Sequence, residues 1–215
     1  MPIRDLIKET CEDLINLYHG HPARTKFCFP SSRLSEQEAR FCFAASVERG
    51  KVYRYAVETP TRYKYRFKGK GSRRAQTDLS LWSLDCKNQL INIEFKANNP
   101  SYNNIDKDIQ KLLKETPEAV WFHLLLNANA GTFPTLAQKF TVAVDKHSKI
   151  CLKVDPTWKK KILFVVCSVV KGVGMAGELS LLANVTDIKV FFDDGATLLL
   201  NPHLRTKGNW QVLVP

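Results

Sequence analysis

Apolar side chains recur at helical spacing from Ile3 through Leu6, Ile7, Leu14, Ile15, Leu17 and Tyr18, which predicts a helix over residues 3–18 that stops at His19-Gly20-His21-Pro22. A second helix is expected from Ser35, whose hydroxyl can cap the first turn while Glu38 reaches back to complete a capping box; it closes at Gly50. The period then changes. Residues 51–58 alternate, and residues 62–68 alternate strictly, with Arg62, Lys64, Arg66 and Lys68 on one face and Tyr63, Tyr65 and Phe67 on the other, as in strands. Residues 68–74, with two glycines and four basic residues, read as a loop or hairpin tip. Residues 77–84 and 89–97 make a β-hairpin about the turn Asp85-Cys86-Lys87-Asn88.

Downstream, residues 101–115 predict a helix with Ile105, Ile109, Leu112 and Leu113 inward, and residues 119–126 are apolar enough for a buried strand. Residues 135–148 look helical and 161–170 read as another buried strand. The order of types through residue 126 is therefore α, β, β, β, α, β. Beyond Gly172 the pattern weakens, since residues 178–192 fit neither period and Val190-Phe191-Phe192 is β-prone. The expectation is an α/β fold, a central mixed β-sheet flanked by helices, divided into an N-terminal helical segment (1–33), a core domain (34–171) and a C-terminal β-rich extension packed on it (172–215).

Composition narrows the class. A chain of 215 residues with 44% hydrophobic and 25% charged positions is an ordinary globular sequence, long enough for a substantial core. The apolar run from Ile162 to Val170 is far short of the ~20 residues that span a bilayer, so no membrane association is expected. Charges interrupt the apolar positions of the N-terminus, unlike a signal peptide, and the six cysteines form no Cys-x-x-Cys pair and read as reduced core residues of a cytoplasmic protein. A net charge of +11 calls for a polyanionic partner, nucleic acid before membrane.

The strand at 90–97 carries the candidate chemistry. Ile91, Ile93 and Phe95 point one way, Asn92, Glu94 and Lys96 the other. A turn centred on Cys86 sets residues equidistant from it opposite one another, so Asp78 faces Glu94. Two carboxylates so placed, with Cβ atoms ~4.5–5.5 Å apart, repel unless something cationic joins them. A divalent metal and Lys96 would supply that charge. Two carboxylates and the backbone carbonyl between Glu94 and Lys96 make a hard-oxygen set suited to Mg²⁺, with Mn²⁺ as a substitute. Water activated by the metal and oriented by Lys96 could attack a phosphodiester, the ammonium stabilising charge that builds on the phosphate.

Thr77-Asp78, fifteen intervening residues, then Glu94-Phe95-Lys96 at the end of an apolar strand resembles the active-site signature of the PD-(D/E)xK, or restriction-endonuclease-like, nuclease superfamily. Thr77 stands where the family name has Pro, a position the family varies freely. The resemblance covers residues 34–126 and implies a restriction-endonuclease-like core with the Asp on its second strand and the (D/E)xK on its third. It also implies a metal-dependent deoxyribonuclease, an endonuclease, with Asp78 and Glu94 holding the metal and Lys96 orienting the water. A glutamate of the preceding helix often joins that site, which points to Glu36 because Glu38 is occupied by the capping box. Cutting both strands of DNA commonly needs two active sites, which makes a homodimer plausible; any other protein partner is left open by the sequence.

The segment 51–74 carries nine basic residues against one acid, Glu58, and Arg62, Lys64, Arg66, Arg73 and Arg74 are its candidate phosphate contacts. Lys159, Lys160 and Lys161 form a weaker second patch. The helix after the signature holds Asp106, Asp108 and Lys111. The main alternative is a non-catalytic nucleic-acid-binding module with a nuclease-like fold. Gly172-Val173-Gly174-Met175-Ala176-Gly177 matches a dinucleotide-binding fingerprint, but the residues that follow do not read as the helix such a site needs, and a glycine turn is expected instead. His19 and His21 lack metal-ligand partners at matching spacing, and His123 is expected to be a hydrogen-bonded core residue.

Overall fold

The computed structural model describes residues 2–20, 35–66, 71–129, 131–181 and 185–215. The elements run α1 (Ile3–Tyr18), α2 (Glu36–Gly50), β1 (Arg54–Arg66), β2 (Ser72–Trp82), β3 (Gln89–Ala97), α3 (Tyr102–Lys114), β4 (Glu118–Leu125), α4 (Thr132–Val154), β5 (Lys161–Ser168), β6 (Val173–Ser180), α5 (Val185–Leu200), β7 (Thr206–Lys207) and β8 (Trp210–Val214). The strands form one mixed sheet in the order β1-β2-β3-β4-β5-β6-β8-β7. β1, β2 and β3 make an antiparallel meander, β3, β4 and β5 run parallel through the helical crossovers α3 and α4, and β6 and β8 return antiparallel. The fold is thus α/β, and among the described residues no helix is long and apolar enough to cross a membrane.

Each face of the sheet has its own core. Leu6, Leu14, Cys42 and Phe43 of α1 and α2 pack on Leu79, Ile93, Phe95 and Phe122. Ile109, Leu112, Phe140 and Phe192 of α3, α4 and α5 pack on Trp121, Phe164 and Trp210 on the other face. Glu94 is paired in register with Trp121 on parallel β4, and so belongs to the α3 side.

The capping box at Ser35 and Glu38 forms as expected, and β3 has the predicted bounds. Several expectations are corrected. The two strands expected over 51–58 and 62–68 are one bulged strand, β1, whose register slips between Pro60 and Lys64. The bulge is held by Thr61, whose Oγ1 accepts from the Ala75 amide at 2.9 Å, and by Glu115, which accepts from the amides of Arg62 (2.9 Å) and Tyr63 (3.2 Å) and from the Tyr65 hydroxyl (2.7 Å). Tyr65 is consequently buried whereas Tyr63 is 40% exposed, so the expected tyrosine face is only partly inward. Cys86 is an exposed turn residue with φ 59°, not a core thiol; the five described cysteines are all free.

The segment 172–215, expected to be β-rich, contains the 16-residue helix α5 across the β-prone Val190-Phe191-Phe192. Tertiary packing overrides local propensity here, because Ile188, Phe191, Phe192, Leu198 and Leu199 are all buried in one core. The Trp210 indole seats between two glycines: a Cβ on Gly177 or Gly195 would lie 2.5 or 2.7 Å from it, and its Nε1–H donates to the Phe191 carbonyl at 2.7 Å. Gly174 is likewise required by close approach, since a Cβ there would stand 2.7 Å from that of Cys11. The glycine pattern 172–177 is therefore mostly strand β6, with only Gly172 (φ 67°) in a turn, and its spacing reflects packing rather than a phosphate cradle.

His123 is a core residue. Its Nδ1 accepts from Trp121 Nε1–H at 3.3 Å, which leaves the ring proton on Nε2, 2.7 Å from the Asn98 carbonyl. Burial pushes its pKa down to about 4. Unfolding frees the ring to titrate near the ordinary 6.5, so the contribution is intact above that pH and is lost as pH falls toward 4, by up to about 3 kcal/mol. His123→Gln should reduce this part of the acid destabilisation, and urea unfolding at pH 7 and pH 4.5 measures the difference; an unchanged pH dependence would contradict the assignment.

Candidate active site

β2 and β3 pair through Leu79 opposite Ile93 and then part. Phe95 lies two residues beyond that pair, and its backbone groups are satisfied by side chains: its N–H donates to Asp78 Oδ2 at 2.8 Å and its carbonyl accepts from Lys96 Nζ at 2.7 Å. Asp78 is the next residue along β2 and lies in the register that places it opposite Glu94. Its other oxygen, Oδ1, is 3.1 Å from Arg40 of α2.

The Lys96 ammonium sits in this gap, 3.0 Å from Asp108 Oδ2, 3.4 Å from Glu36 Oε2 and 3.8 Å from Asp78 Oδ2. Three surrounding carboxylates outweigh burial and hold its pKa above the ordinary lysine value. Glu36 opens α2, one turn before Arg40, while Glu38 accepts from the Ser35 amide at 2.9 Å in the capping box. The structure thus brings Glu36, Asp78 and Lys96 together, and leaves Glu38 at the helix cap.

Glu94 is fully buried on the α3 side. Lys111 Nζ lies 2.6 Å from its Oε1 in a buried ion pair, and its Oε2 has no hydrogen-bond partner among the described residues. Burial, with Asp108 and Asp78 adding to it, raises its pKa well above the usual carboxylate range. Lys111 also lies 2.8 Å from Asp108 Oδ1 and donates to the Gln76 carbonyl at 2.8 Å. The cluster therefore sets four carboxylates (Glu36, Asp78, Glu94, Asp108) against three cations (Arg40, Lys96, Lys111).

The sequence marks Asp108 and Lys111 only as charged residues of the helix after the signature, with no individual role, and gives no sign of Arg40. Asp108 was marked by its position, since it falls on the buried stripe of Ile105, Ile109 and Leu112, where an unpaired carboxylate is costly. Arg40 carried no such signal beyond standing four residues after Glu36.

As a cation site the centre offers only oxygen: the Asp78 and Glu94 carboxylates and the Phe95 carbonyl. Among the described residues no group of three or more His, Cys, Asp or Glu side chains converges as metal ligands. Two carboxylates nonetheless suit Mg²⁺, which keeps several waters, and the buried Glu94 Oε2, which lacks a hydrogen bond, is the feature that fits a cation.

The expected phosphate contacts Arg62, Lys64, Arg66, Arg73 and Arg74 are all exposed on the β1–β2 hairpin, with Lys64 opposite Arg74 and Tyr65 opposite Arg73. Arg74 lies four residues before Asp78 on β2, so the basic surface and the carboxylates share a strand. Lys68 lies outside the described residues, as does His21. In the second basic patch Lys160 donates to the Glu115 carbonyl at 2.7 Å and also to that of Pro117, while Lys161 makes a surface ion pair with Glu178 at 2.7 Å and Lys159 is exposed. His19 contacts the Val169 carbonyl at 2.9 Å. No family model matches the chain, and no curated protein or solved structure matches it significantly.

Glu94 is buried beside Asp78 and Asp108, and Lys111, its ion-pair partner, is shared with Asp108, so the centre holds more carboxylates than cations, an excess of buried charge that costs stability. Glu94→Gln removes one charge from the cluster and keeps the side-chain shape. It should raise the melting temperature at pH 7 in metal-free buffer by a few degrees, since ~1 kcal/mol corresponds to about 2–4 °C for a chain of this size. A lower melting temperature would contradict the electrostatic reading of the site.

Proposed function

We propose that the protein is a metal-dependent nuclease that hydrolyses DNA phosphodiester bonds. The observation that carries this reading is the gap between β2 and β3, where Asp78, Glu94 and Lys96 come from adjoining strands and Glu36 from α2. The order α2-β1-β2-β3-α3-β4, with an antiparallel meander followed by parallel β3 and β4, supports a restriction-endonuclease-like core and the superfamily resemblance of the Asp78…Glu94-x-Lys96 pattern.

In this reading Asp78 and Glu94 are the residues that would hold Mg²⁺, and the ion would supply Lewis-acid activation of the nucleophile and charge stabilisation at the phosphate. Lys96, kept charged by Asp108, Asp78 and Glu36, presents N–H donors to the attacking water and to the phosphate oxygen. Arg40 restrains the Asp78 carboxylate from the side of α2. The exposed hairpin residues Arg62, Lys64, Arg66, Arg73 and Arg74 track the DNA backbone.

Purified protein incubated with supercoiled, linear and single-stranded DNA should cut in Mg²⁺ or Mn²⁺ and not in EDTA, and Glu94→Ala and Lys96→Ala should each lower turnover by at least a hundredfold. Undiminished cleavage by both variants would sink the assignment. DNA binding without cutting by any form would favour the non-catalytic binding module.

The hairpin makes a separate prediction. If Lys64 and Arg74 each neutralise one phosphate of duplex DNA, the double variant Lys64→Ala/Arg74→Ala should lower the slope of log Kd against log salt by about 1.8, at ~0.9 per contact. Fluorescence anisotropy between 50 and 200 mM salt reads the slope, and an unchanged value would remove these residues from the interface.

A further inference from the structure

The nuclease reading gives Lys111 of α3 no role and uses its neighbour Asp108 only to keep Lys96 charged. Asp108 and Lys111 are one helical turn apart and both under 4% exposed. Asp108 interrupts an apolar stripe, and a buried ion pair commonly adds no stability over apolar residues of the same volume. Their contacts run toward the centre. Lys111 Nζ lies among three oxygens from three elements, Glu94 Oε1 on β3 (2.6 Å), the Gln76 carbonyl on β2 (2.8 Å) and Asp108 Oδ1 on its own helix (2.8 Å). Asp108 uses its second oxygen, Oδ2, on Lys96 Nζ at 3.0 Å.

We propose that Asp108 and Lys111 form a positioning pair that fixes the two working side chains of β3 separately, an inference that rests on the nuclease reading. Lys111 holds Glu94 by an ion pair to Oε1 and leaves Oε2, which has no hydrogen-bond partner among the described residues, as the oxygen that binds the cation. Asp108 holds the Lys96 ammonium beside the Phe95 carbonyl, where it meets water and phosphate. Partners of this kind behind metal ligands commonly set affinity by 10–100-fold. The assignment of one partner to Glu94 and the other to Lys96 gives the two residues different functions: Lys111 acts on metal affinity, Asp108 on the chemical step.

Mn²⁺ binding to the full-length protein without DNA, followed by the electron paramagnetic resonance signal of free Mn²⁺, separates them when combined with kcat and KM on DNA and with thermal melts. Lys111→Gln should bind Mn²⁺ at least about tenfold more weakly, with Lys111→Arg restoring most of the affinity. Asp108→Asn should keep Mn²⁺ affinity within about twofold while kcat falls at least tenfold at unchanged KM. Unchanged or tighter Mn²⁺ binding by Lys111→Gln, or a wild-type kcat for Asp108→Asn, would overturn the proposal. So would a parallel loss of affinity, kcat and melting temperature in both variants, which would make the pair merely structural. Wild-type protein that neither binds Mn²⁺ nor cuts DNA would instead remove the nuclease reading on which the pair depends.

Discussion

Everything proposed for this protein depends on the place where β2 leaves β3. An antiparallel ladder satisfies its own backbone, and ending it between two central strands strands the N–H and carbonyl of Phe95 in the interior, at a cost comparable to lost hydrogen bonds. The chain answers with side chains: Asp78 takes the N–H and Lys96 donates to the carbonyl. The same divergence that creates the backbone deficit therefore fixes a carboxylate and an ammonium at the sheet's interior, with Glu94 opposite Asp78 in the continued register. The chemistry proposed here is a consequence of that one break in pairing.

Electrostatics gives the break its functional character. Four carboxylates against three cations, most of them shielded from water, leave the centre with an excess of negative charge, and Glu94, paired with Lys111 through Oε1, keeps its Oε2 without a hydrogen bond. Apolar residues of the same volume commonly match or exceed the stability of such buried ion pairs. Closely packed buried charge of this kind is typical of sites that trade stability for function. The rest of the molecule supplies the rigidity to hold it: aromatic packing around Phe140, Phe164 and Trp210 on one face, and α1 and α2 on the other.

Much of this was legible in the chain because it is governed locally. Ser35 and Glu38 declare a helix start by spacing alone, the alternation in residues 89–97 gives β3 its bounds, and the turn at Cys86 sets the β2–β3 register that aligns Asp78 with Glu94. What was not legible depends on partners far along the chain. The β1 bulge is held by Glu115, more than fifty positions away, and α5 forms through residues that favour strands because its apolar face meets Trp210. Arg40 and Lys111 acquire meaning only when α2 and α3 are folded against opposite sides of β3. Asp108 alone betrayed itself, as a charge on an apolar stripe.

The central claim is that Asp78 and Glu94 form a cation site within this gap. Crystals grown with Mn²⁺ and measured at the manganese absorption edge test it directly. The account predicts an anomalous difference peak in ligating contact with both carboxylates, with Lys96 retained beside it. Saturating Mn²⁺ that gives no peak there, or one bound only elsewhere, would contradict it.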